Sequence, residues 1–252
     1  MTIINKTTVL LCTLFSFVGF WSAACAQELQ DPSLDKILEK VKNVYGINIH
    51  YTQGPLPKPA NMNYQLADIQ DKKILRKVIL QFVQEIGLYP KNFFRSAQCQ
   101  DIYFVQKLFY KQQPVDGIFS QGTNFIIYDY SRESENTQKI RHRIHHELYH
   151  MIGSRRLFWK TLNPTWESYN RPGFIYDIKY NPHGTNPKNI FAPAEPGFIT
   201  HYAMASAEED RAETFAGLMI SQERRLLEQW AKNDEILFHK MKVMKQFIKE
   251  AF

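Results

Sequence analysis

The sequence predicts an α+β fold with a small mixed sheet, a histidine-rich helix and a helical C-terminal lobe. Three observations favour this class. Helix-like and strand-like hydrophobic patterns alternate before residue 131, a histidine-rich helical pattern follows at 140–153, and the pattern at 206–252 is helical. With 252 residues, of which 44% are hydrophobic, the chain can bury a sizeable core in one domain or in two lobes.

The N-terminus has the pattern of a secretory signal peptide, residues 1–26. Lys6 precedes the apolar run TVLLCTLFSFVGFW (8–21), and the small residues that follow fit a cleavage site. An alternative is a bacterial lipoprotein signal, in which Cys25 would carry a lipid anchor. An uncleaved anchor is a third possibility, although the run is short for a hydrocarbon core of about 30 Å. We therefore expect an exported protein, periplasmic or secreted, or else a membrane-anchored lipoprotein, with no membrane span in the mature chain 27–252.

Charge and cysteine content restrict the possible partners. The net charge of +6 is modest and spread along the chain, without the clusters of basic and aromatic residues that are typical of nucleic-acid binding. Cleavage after residue 26 would leave Cys99 alone, so no intramolecular disulfide is expected.

The part of the mature chain before residue 154 shows helix and strand signals in turn. Apolar residues at a spacing near 3.6 indicate helices, whereas alternation or short apolar runs indicate strands. A turn is expected between the last two strands, around Pro114–Gly117. The predicted α+β lobe, about 27–153, thus contains helices at 34–45 and 71–87 and strands at 47–51, 101–110 and 124–130.

Residues 154–205 are rich in proline and aromatic residues and separate the two lobes. A long segment with little periodicity is more often functional than a plain connector, and the aromatic content argues against disorder. We expect an ordered lid or wall beside the site, with a simple packed loop as the alternative. The helical lobe, 206–252, should have a break near Asn233–Asp234.

The helix predicted at 140–153 contains the pattern H-E-x-x-H, which runs from His146 to His150. Residues i and i+4 of a helix lie on one side, so His146 and His150 can bind one metal ion. Glu147 is placed to take a proton from a water molecule at that metal. Another face carries an apolar stripe that can pack against a core: Ile140, Ile144, Leu148 and Met151.

A catalytic zinc site needs a third protein ligand, and two familiar continuations do not supply one. The metzincin pattern would place a histidine where this chain has Arg156, and the thermolysin-type sequence N-E-x-x-S-D is absent. Glu209 and Glu213, one helical turn apart, could provide the carboxylate of a His-His-Glu site. Ser206 to Glu209 is also a capping box, in which Glu209 would reach back to the helix start, and the local sequence leaves both interpretations open.

Two segments, HHELYH (145–150) and GFITHYAMASAEEDRAETFA (197–216), resemble the zinc-binding metallopeptidases of the gluzincin group. Their spacing is similar to that in the catalytic domain of anthrax lethal factor. The segments FWKTLNP (158–164) and PGFIYD (172–177) resemble others of the exported bacterial family, whereas TWESYNR (165–171) is a difference from it. The resemblance covers about 117–220 and implies a zincin-like fold with an active-site helix.

The resemblance also implies a zinc ion and a role for individual residues. His146, His150 and Glu209 would be the zinc ligands, Glu147 the general base, and Tyr202 a phenol close to the metal. The expected chemistry is attack of a zinc-activated water on a peptide carbonyl, with charge stabilisation by zinc and by a hydroxyl such as that of Tyr202.

Other polar residues near the motif are expected to have lesser roles. Glu213 or Asp210 could hold a ligand histidine in orientation through a hydrogen bond. His142 lies on the ligand face but beyond reach of the metal, and His145 and His201 are expected in solvent or in the cleft.

The sequence therefore predicts an exported zinc-dependent peptidase, a gluzincin-type endopeptidase with a protein or peptide substrate. A non-catalytic, zinc-stabilised surface binding module is the alternative. NFIIYDY (124–130) is expected to be the edge strand along which an extended peptide could align. Serine hydrolysis is not supported, because the sequence around Ser120 lacks the G-x-S-x-G pattern.

Overall fold

The computed structural model describes residues 32–51, 62–65, 72–119, 124–131, 137–155, 166–180 and 195–252. The predicted signal peptide 1–26, the candidate lipid-anchor position Cys25 and the segment FWKTLNP (158–164) lie outside these residues. Within the described ranges, every helix is too short or too polar to cross a bilayer.

A mixed sheet forms the centre of the N-terminal part. Its strands are β1 (Asn48–His50), β2 (Met62–Gln65), β3 (Asp101–Tyr110), β4 (Gln113–Pro114), β5 (Gly117–Phe119) and β6 (Phe125–Asp129). The main order is β1-β3-β6-β5, and β2 and β4 both pair with β3. Strands β1, β3 and β6 are parallel, whereas β5 runs antiparallel to β6.

Helices precede the sheet, cover it and form the C-terminal part. They are α1 (Pro32–Tyr45), α2 (Lys72–Ile86), α3 (Phe93–Ser96), α4 (Thr137–Arg155), α5 (Ala207–Met219), α6 (Ser221–Trp230) and α7 (Glu235–Ala251), with 3-10 turns at Ile178–Tyr180 and Tyr202–Met204. The combination of a mixed sheet with a C-terminal helical part confirms the α+β class. The predicted break near Asn233–Asp234 is also present, because Asp234 caps α7 by accepting a hydrogen bond from the Leu237 N–H.

Strand β6 lies inside the sheet, between β3 and β5, so the expectation that NFIIYDY is an edge strand is wrong. All five residues of β6 are buried. A strand covered on both faces has a continuous apolar run instead of an alternating one, and Phe125 to Tyr128 has that form. On this side of the sheet the edge is β5, which pairs with β6 and with no other strand of the described residues.

The turn expected at Pro114–Gly117 is formed earlier, at Lys111 and Gln112. Both residues have positive φ, 48° and 65°, and the resulting hairpin pairs Tyr110 with Gln113. Two positive φ values give the backbone twist that two-residue hairpins favour. Lysine and glutamine seldom adopt this conformation, so the sequence carries no local signal for it.

Helices α4 and α5 pack against each other and thereby bring the two motifs together. The predicted stripe of α4 is buried, with Ile140, Ile144, Leu148 and Met151 at most 2% exposed. On α5, Ala212, Phe215 and Ala216 are fully buried. The small side chain of Ala212 permits a close approach of the helices.

Candidate metal centre

His146 and His150 on α4 and Glu209 on α5 converge on one point. Glu209 Oε2 lies 3.1 Å from His146 Nε2 and 3.3 Å from His150 Nε2, and the two Nε2 atoms are 3.0 Å apart. Three ligand atoms placed at about 2.0–2.1 Å from one tetrahedral ion would be separated by about 3.3 Å. The three residues can therefore hold a metal ion.

The surroundings of the Glu209 carboxylate also fit a cation. Its Oε2 atom is buried, and among the described residues no donor is oriented to form a hydrogen bond with it. A buried carboxylate oxygen without a hydrogen bond is costly unless a positive charge faces it. Here two imidazole nitrogens and one carboxylate oxygen point to a shared centre, which is the donor set that zinc prefers.

Each of the two histidines has a second carboxylate at its other ring nitrogen. His146 Nδ1 lies 2.8 Å from Glu213 Oε1, and His150 Nδ1 lies 3.5 Å from Glu208 Oε1. A carboxylate at Nδ1 keeps the proton there and leaves Nε2 free to bind metal. Glu213 takes the place that the sequence suggested for it, whereas Glu208 was not singled out, although it directly precedes Glu209.

The charged groups of the centre shift one another's pKa values. Burial alone would lower the pKa of His146, but Glu209 and Glu213 raise it to about 9. Glu209 similarly raises the pKa of His150 well above its ordinary value, against the effect of burial. Burial would raise the pKa of Glu209, but the two histidines lower it far below the usual range. The cluster thus stabilises positive charge at the point where its atoms converge.

Glu147 lies beside this point, between α4 and the edge strand β5. It is buried, and burial raises its pKa although His146 and His150 act in the opposite direction. A Cβ atom at Gly117 would lie 2.6 Å from the Cδ and Oε1 atoms of Glu147. Only glycine therefore leaves room for this carboxylate beside β5, a requirement that the sequence pattern did not reveal.

A salt bridge joins the start of β5 to α4. Arg143, one turn before Glu147, donates from Nη2 to Asp116 Oδ2 at 2.8 Å and from Nη1 to the carbonyl oxygen of Asp129 at 3.3 Å. Because Asp116 directly precedes Gly117, these contacts fix the distance between the edge strand and the helix that carries Glu147.

Tyr202 lies beside the candidate metal centre, next to His146. Its ring stacks on His146 with a centroid distance of 5.6 Å and an interplanar angle of 28°. Burial and the neighbouring Glu209 carboxylate raise its pKa well above the ordinary value, so its hydroxyl stays protonated and can donate a hydrogen bond.

The capping interaction at the start of α5 is present together with the convergence of Glu209 on the histidines. Ser206 Oγ accepts a hydrogen bond from the backbone N–H of Glu209 at 3.1 Å. The two interpretations of this glutamate concern different groups, since its N–H is capped while its carboxylate faces His146 and His150.

Asp210 is not at the metal centre, so it does not hold a ligand histidine. Its Oδ2 atom accepts hydrogen bonds from Trp166 Nε1 at 2.9 Å, from the Tyr176 hydroxyl at 2.8 Å and from Lys240 Nζ at 2.7 Å. On a helix, adjacent residues differ by 100° in direction, so Asp210 points away from the side that carries Glu209.

The expectation that His145 lies in solvent or in the cleft is wrong. His145 is fully buried between the hydroxyl of Tyr89, 2.6 Å from Nδ1, and Glu85 Oε2, 3.0 Å from Nε2. His201 is exposed, as expected. His142 lies one turn before His146, between the carboxylates of Glu213 and Glu223.

Part of the proline- and aromatic-rich segment 154–205 packs beside the site. Phe174, Tyr176 and Tyr180 contact a cluster formed by Phe198, Ala203 and Met204, the last two being neighbours of Tyr202 in its 3-10 turn. The backbone N–H of Asp177 donates to the carbonyl oxygen of Met204 at 3.2 Å. Residues 174–180 thus form part of a wall next to Tyr202.

Comparison with known proteins identifies the fold and the family of the chain. The fold is similar to that of a crystal structure described as "a putative zinc-binding metallo-peptidase" from Bacteroides caccae ATCC 43185, with a TM-score of 0.50, 17% identity, and coverage of 90% of this chain and 86% of that one. This likeness supports the zincin-like α+β fold. No curated protein matches the chain. Residues 28–252 match the model of the family described as "Putative zinc-binding metallo-peptidase", so the chain belongs to that family.

Proposed function

We propose that the protein is an exported zinc-dependent peptidase of the gluzincin type, which hydrolyses peptide bonds with Glu147 as general base. The observation that carries this proposal is the convergence of His146, His150 and Glu209 within 3.0–3.3 Å of one another, with Glu147 beside them. A glutamate ligand on a separate helix is the arrangement implied by the gluzincin and lethal-factor resemblance. Export is proposed from the N-terminal signal pattern.

The chemistry assigns a separate role to each residue. Zinc held by the three ligands would supply Lewis acidity, lowering the pKa of a water molecule and polarising a carbonyl group. Glu147 takes the proton of the attacking water and later delivers it to the leaving amine. The Tyr202 hydroxyl donates a hydrogen bond to the oxygen on which negative charge develops.

The edge strand β5 is the proposed alignment site for an extended peptide. Since β5, and not β6, is the edge of the sheet, a substrate strand would pair with the side of β5 that β6 does not occupy. Gly117 in this strand is in contact range of Glu147, so a peptide on β5 would pass close to the general base.

The variant Glu147→Gln tests the proposal. It removes the base but no ligand, so we expect one bound zinc ion per chain, an intact fold, and a hydrolytic rate at least about a hundredfold lower on a peptide library. Glu39→Gln, a substitution of an exposed glutamate on α1, is the matched control and should behave as wild type.

Two outcomes would contradict the proposal in different ways. Full peptidase activity in Glu147→Gln would exclude Glu147 as the base. A wild-type protein that binds zinc without cleaving any member of the library would instead favour the non-catalytic, zinc-stabilised binding module.

A further inference from the structure

His142 is held by a carboxylate at each of its ring nitrogens. Nδ1 lies 2.9 Å from Glu223 Oε2, and Nε2 lies 3.2 Å from Glu213 Oε1. The imidazole is buried, and Glu223 is fully buried. Ionised carboxylates can only accept hydrogen bonds, and a neutral imidazole has a single N–H. Both contacts are satisfied together when the ring carries two protons and a positive charge.

The carboxylate of Glu213 connects this ring to the metal centre. Its Oε1 atom faces both His142 Nε2 and, at 2.8 Å, His146 Nδ1, while its Oε2 atom accepts a hydrogen bond from the Thr200 hydroxyl at 2.8 Å. A continuous buried line therefore runs from Glu223 through His142 and Glu213 to His146, whose Nε2 atom points to the metal position.

The far end of the line is fixed as well. Gln138, one turn before His142 on α4, donates from Nε2 to Glu223 Oε1 at 3.1 Å. Glu223 lies in the first turn of α6, where the helix dipole favours a negative charge. The line thus joins α4, α5 and α6, and each carboxylate oxygen in it faces a hydrogen-bond donor.

We propose that His142 is a positioning residue of the metal centre: clamped between Glu223 and Glu213, it holds the Glu213 carboxylate in place as the hydrogen-bond acceptor of His146 Nδ1. The inference rests on the proposed zinc site and extends it by two residues, His142 and Glu223. Loss of the clamp would leave Glu213 with less compensation for its buried charge, and His146 would lose its fixed orientation.

The electrostatics of the buried groups agree with this geometry. Burial would lower the pKa of His142, but Glu213 and Glu223 raise it to about 10. Burial would raise the pKa of Glu213, whereas His142 and His146 lower it far below the usual range. The raised pKa of His142 thus agrees with a ring that donates from both nitrogens.

The test compares zinc affinities of the mature protein by competition with a chelator. His142→Gln is uncharged and carries both of its N–H donors on one nitrogen, so it does not replace donors at the two separate ring positions. We expect zinc affinity about tenfold lower, the lower end of the range for residues outside the ligand shell. His145→Gln is the matched control, because it removes another buried histidine of the same helix, and its affinity should stay within about twofold of wild type. Glu223→Gln, which removes the charge at the far end, should reproduce the loss.

A double-mutant cycle distinguishes positioning from general damage. If His142 acts through Glu213, His142→Gln should lower zinc affinity no further in a Glu213→Gln background. Nitrogen NMR of metal-free wild type gives a measurement without any substitution, and both ring nitrogens of His142 should be protonated at neutral pH.

Several results would overturn the inference and are separable from failure of the proposed function. Unchanged zinc affinity in folded His142→Gln, or a neutral His142 ring, would refute the clamp. His142, His146 and Glu213 could also hold a metal themselves. Two zinc ions in wild type and one in His142→Gln would make His142 a ligand instead. A wild type that binds no zinc would refute the zinc site itself.

Discussion

The local sequence around Glu209 does not determine the role of this residue. Ser206 and Glu209 match a capping box, and the cap hydrogen bond to the Glu209 N–H is indeed formed at 3.1 Å. The carboxylate, which a capping box would turn back to the helix start, instead faces two histidines about sixty positions earlier in the chain. Nothing in the sequence of α5 determines that choice, because it depends on the packing of α5 on α4.

The first prediction separates these two roles of Glu209. Glu209→Gln should lower zinc affinity by more than about a hundredfold, beyond the range for residues outside the ligand shell, because it removes a ligand charge. Ser206→Ala removes the cap alone and should cost roughly 1 kcal/mol in the free energy of unfolding while zinc stays bound. Zinc titration and denaturant unfolding measure the two effects. Equal zinc loss in both variants would show that the cap, not the carboxylate, matters.

The second prediction concerns Gly117. In Gly117→Ala the new Cβ would lie 2.6 Å from the Glu147 carboxyl group, so Glu147 must move. Misplacement of a catalytic group by about 1 Å can cost about a hundredfold in rate, and we expect at least a tenfold lower peptidase rate with zinc affinity unchanged. Gly153→Ala on α4 is the control, since its Cβ would meet Tyr149 at an ordinary 3.5 Å. Wild-type activity in Gly117→Ala would contradict the close approach.

At the scale of elements, helices were more predictable than strand pairing. Helical periodicity is local, so the apolar stripe of α4 identified its buried face, and the pattern at 71–87 matched α2 closely. Strand order depends on contacts between distant segments. The positive φ values at Lys111 and Gln112 have no sequence signal, so the turn forms earlier in the chain than predicted. The parallel pairing of β3 with β6 was not predicted either, because β4 and β5 lie between these strands in the sequence.

Site residues could likewise be predicted where their arrangement is local, and not where it depends on contacts between distant segments. The pair His146 and His150 could be predicted because both lie on one helix, whereas the contacts of Asp210 and His145 depend on what packs against α5 and α4. Asp210 turned out to join several elements: its salt bridge with the fully buried Lys240 of α7 is 2.7 Å long, and Lys240 Nζ also donates to the carbonyl oxygen of Gly197 at 3.0 Å.

The third prediction follows from this buried salt bridge. Lys240→Met leaves the Asp210 carboxylate buried without its cation, and loss of one partner of such a pair costs about 3–5 kcal/mol in the free energy of unfolding. Lys245→Met is the matched control on the same helix, because Lys245 pairs with Glu228 in solvent at 2.8 Å and its loss should cost at most about 1 kcal/mol. Denaturant unfolding measures both. Similar destabilisation of the two variants would show that α7 is not held by Asp210.

At the scale of the whole molecule, the metal centre lies where the sheet-bearing part of the chain meets its helical part. Two of the candidate ligands lie on α4, which packs on the sheet through Ile144 and Tyr128, and the third lies on α5. A metal bound by both helices is a link between segments that are distant in sequence. Unfolding of either helix would destroy the site, so zinc binding at this site would be coupled to folding.

The fourth prediction measures that coupling. At free zinc about a hundredfold above its dissociation constant, binding to the native state adds about 2.7 kcal/mol to the free energy of unfolding. For a chain of this size that corresponds to a rise of roughly 5–10 °C in the thermal midpoint relative to chelator-treated protein. His150→Ala should show no zinc-dependent rise, because it lacks a ligand but keeps the fold's buried core. A zinc-loaded wild type that melts at the same temperature as the chelated protein would mean that the ion binds native and unfolded chains equally, and the ligands would then not be assembled by the packing of α4 on α5.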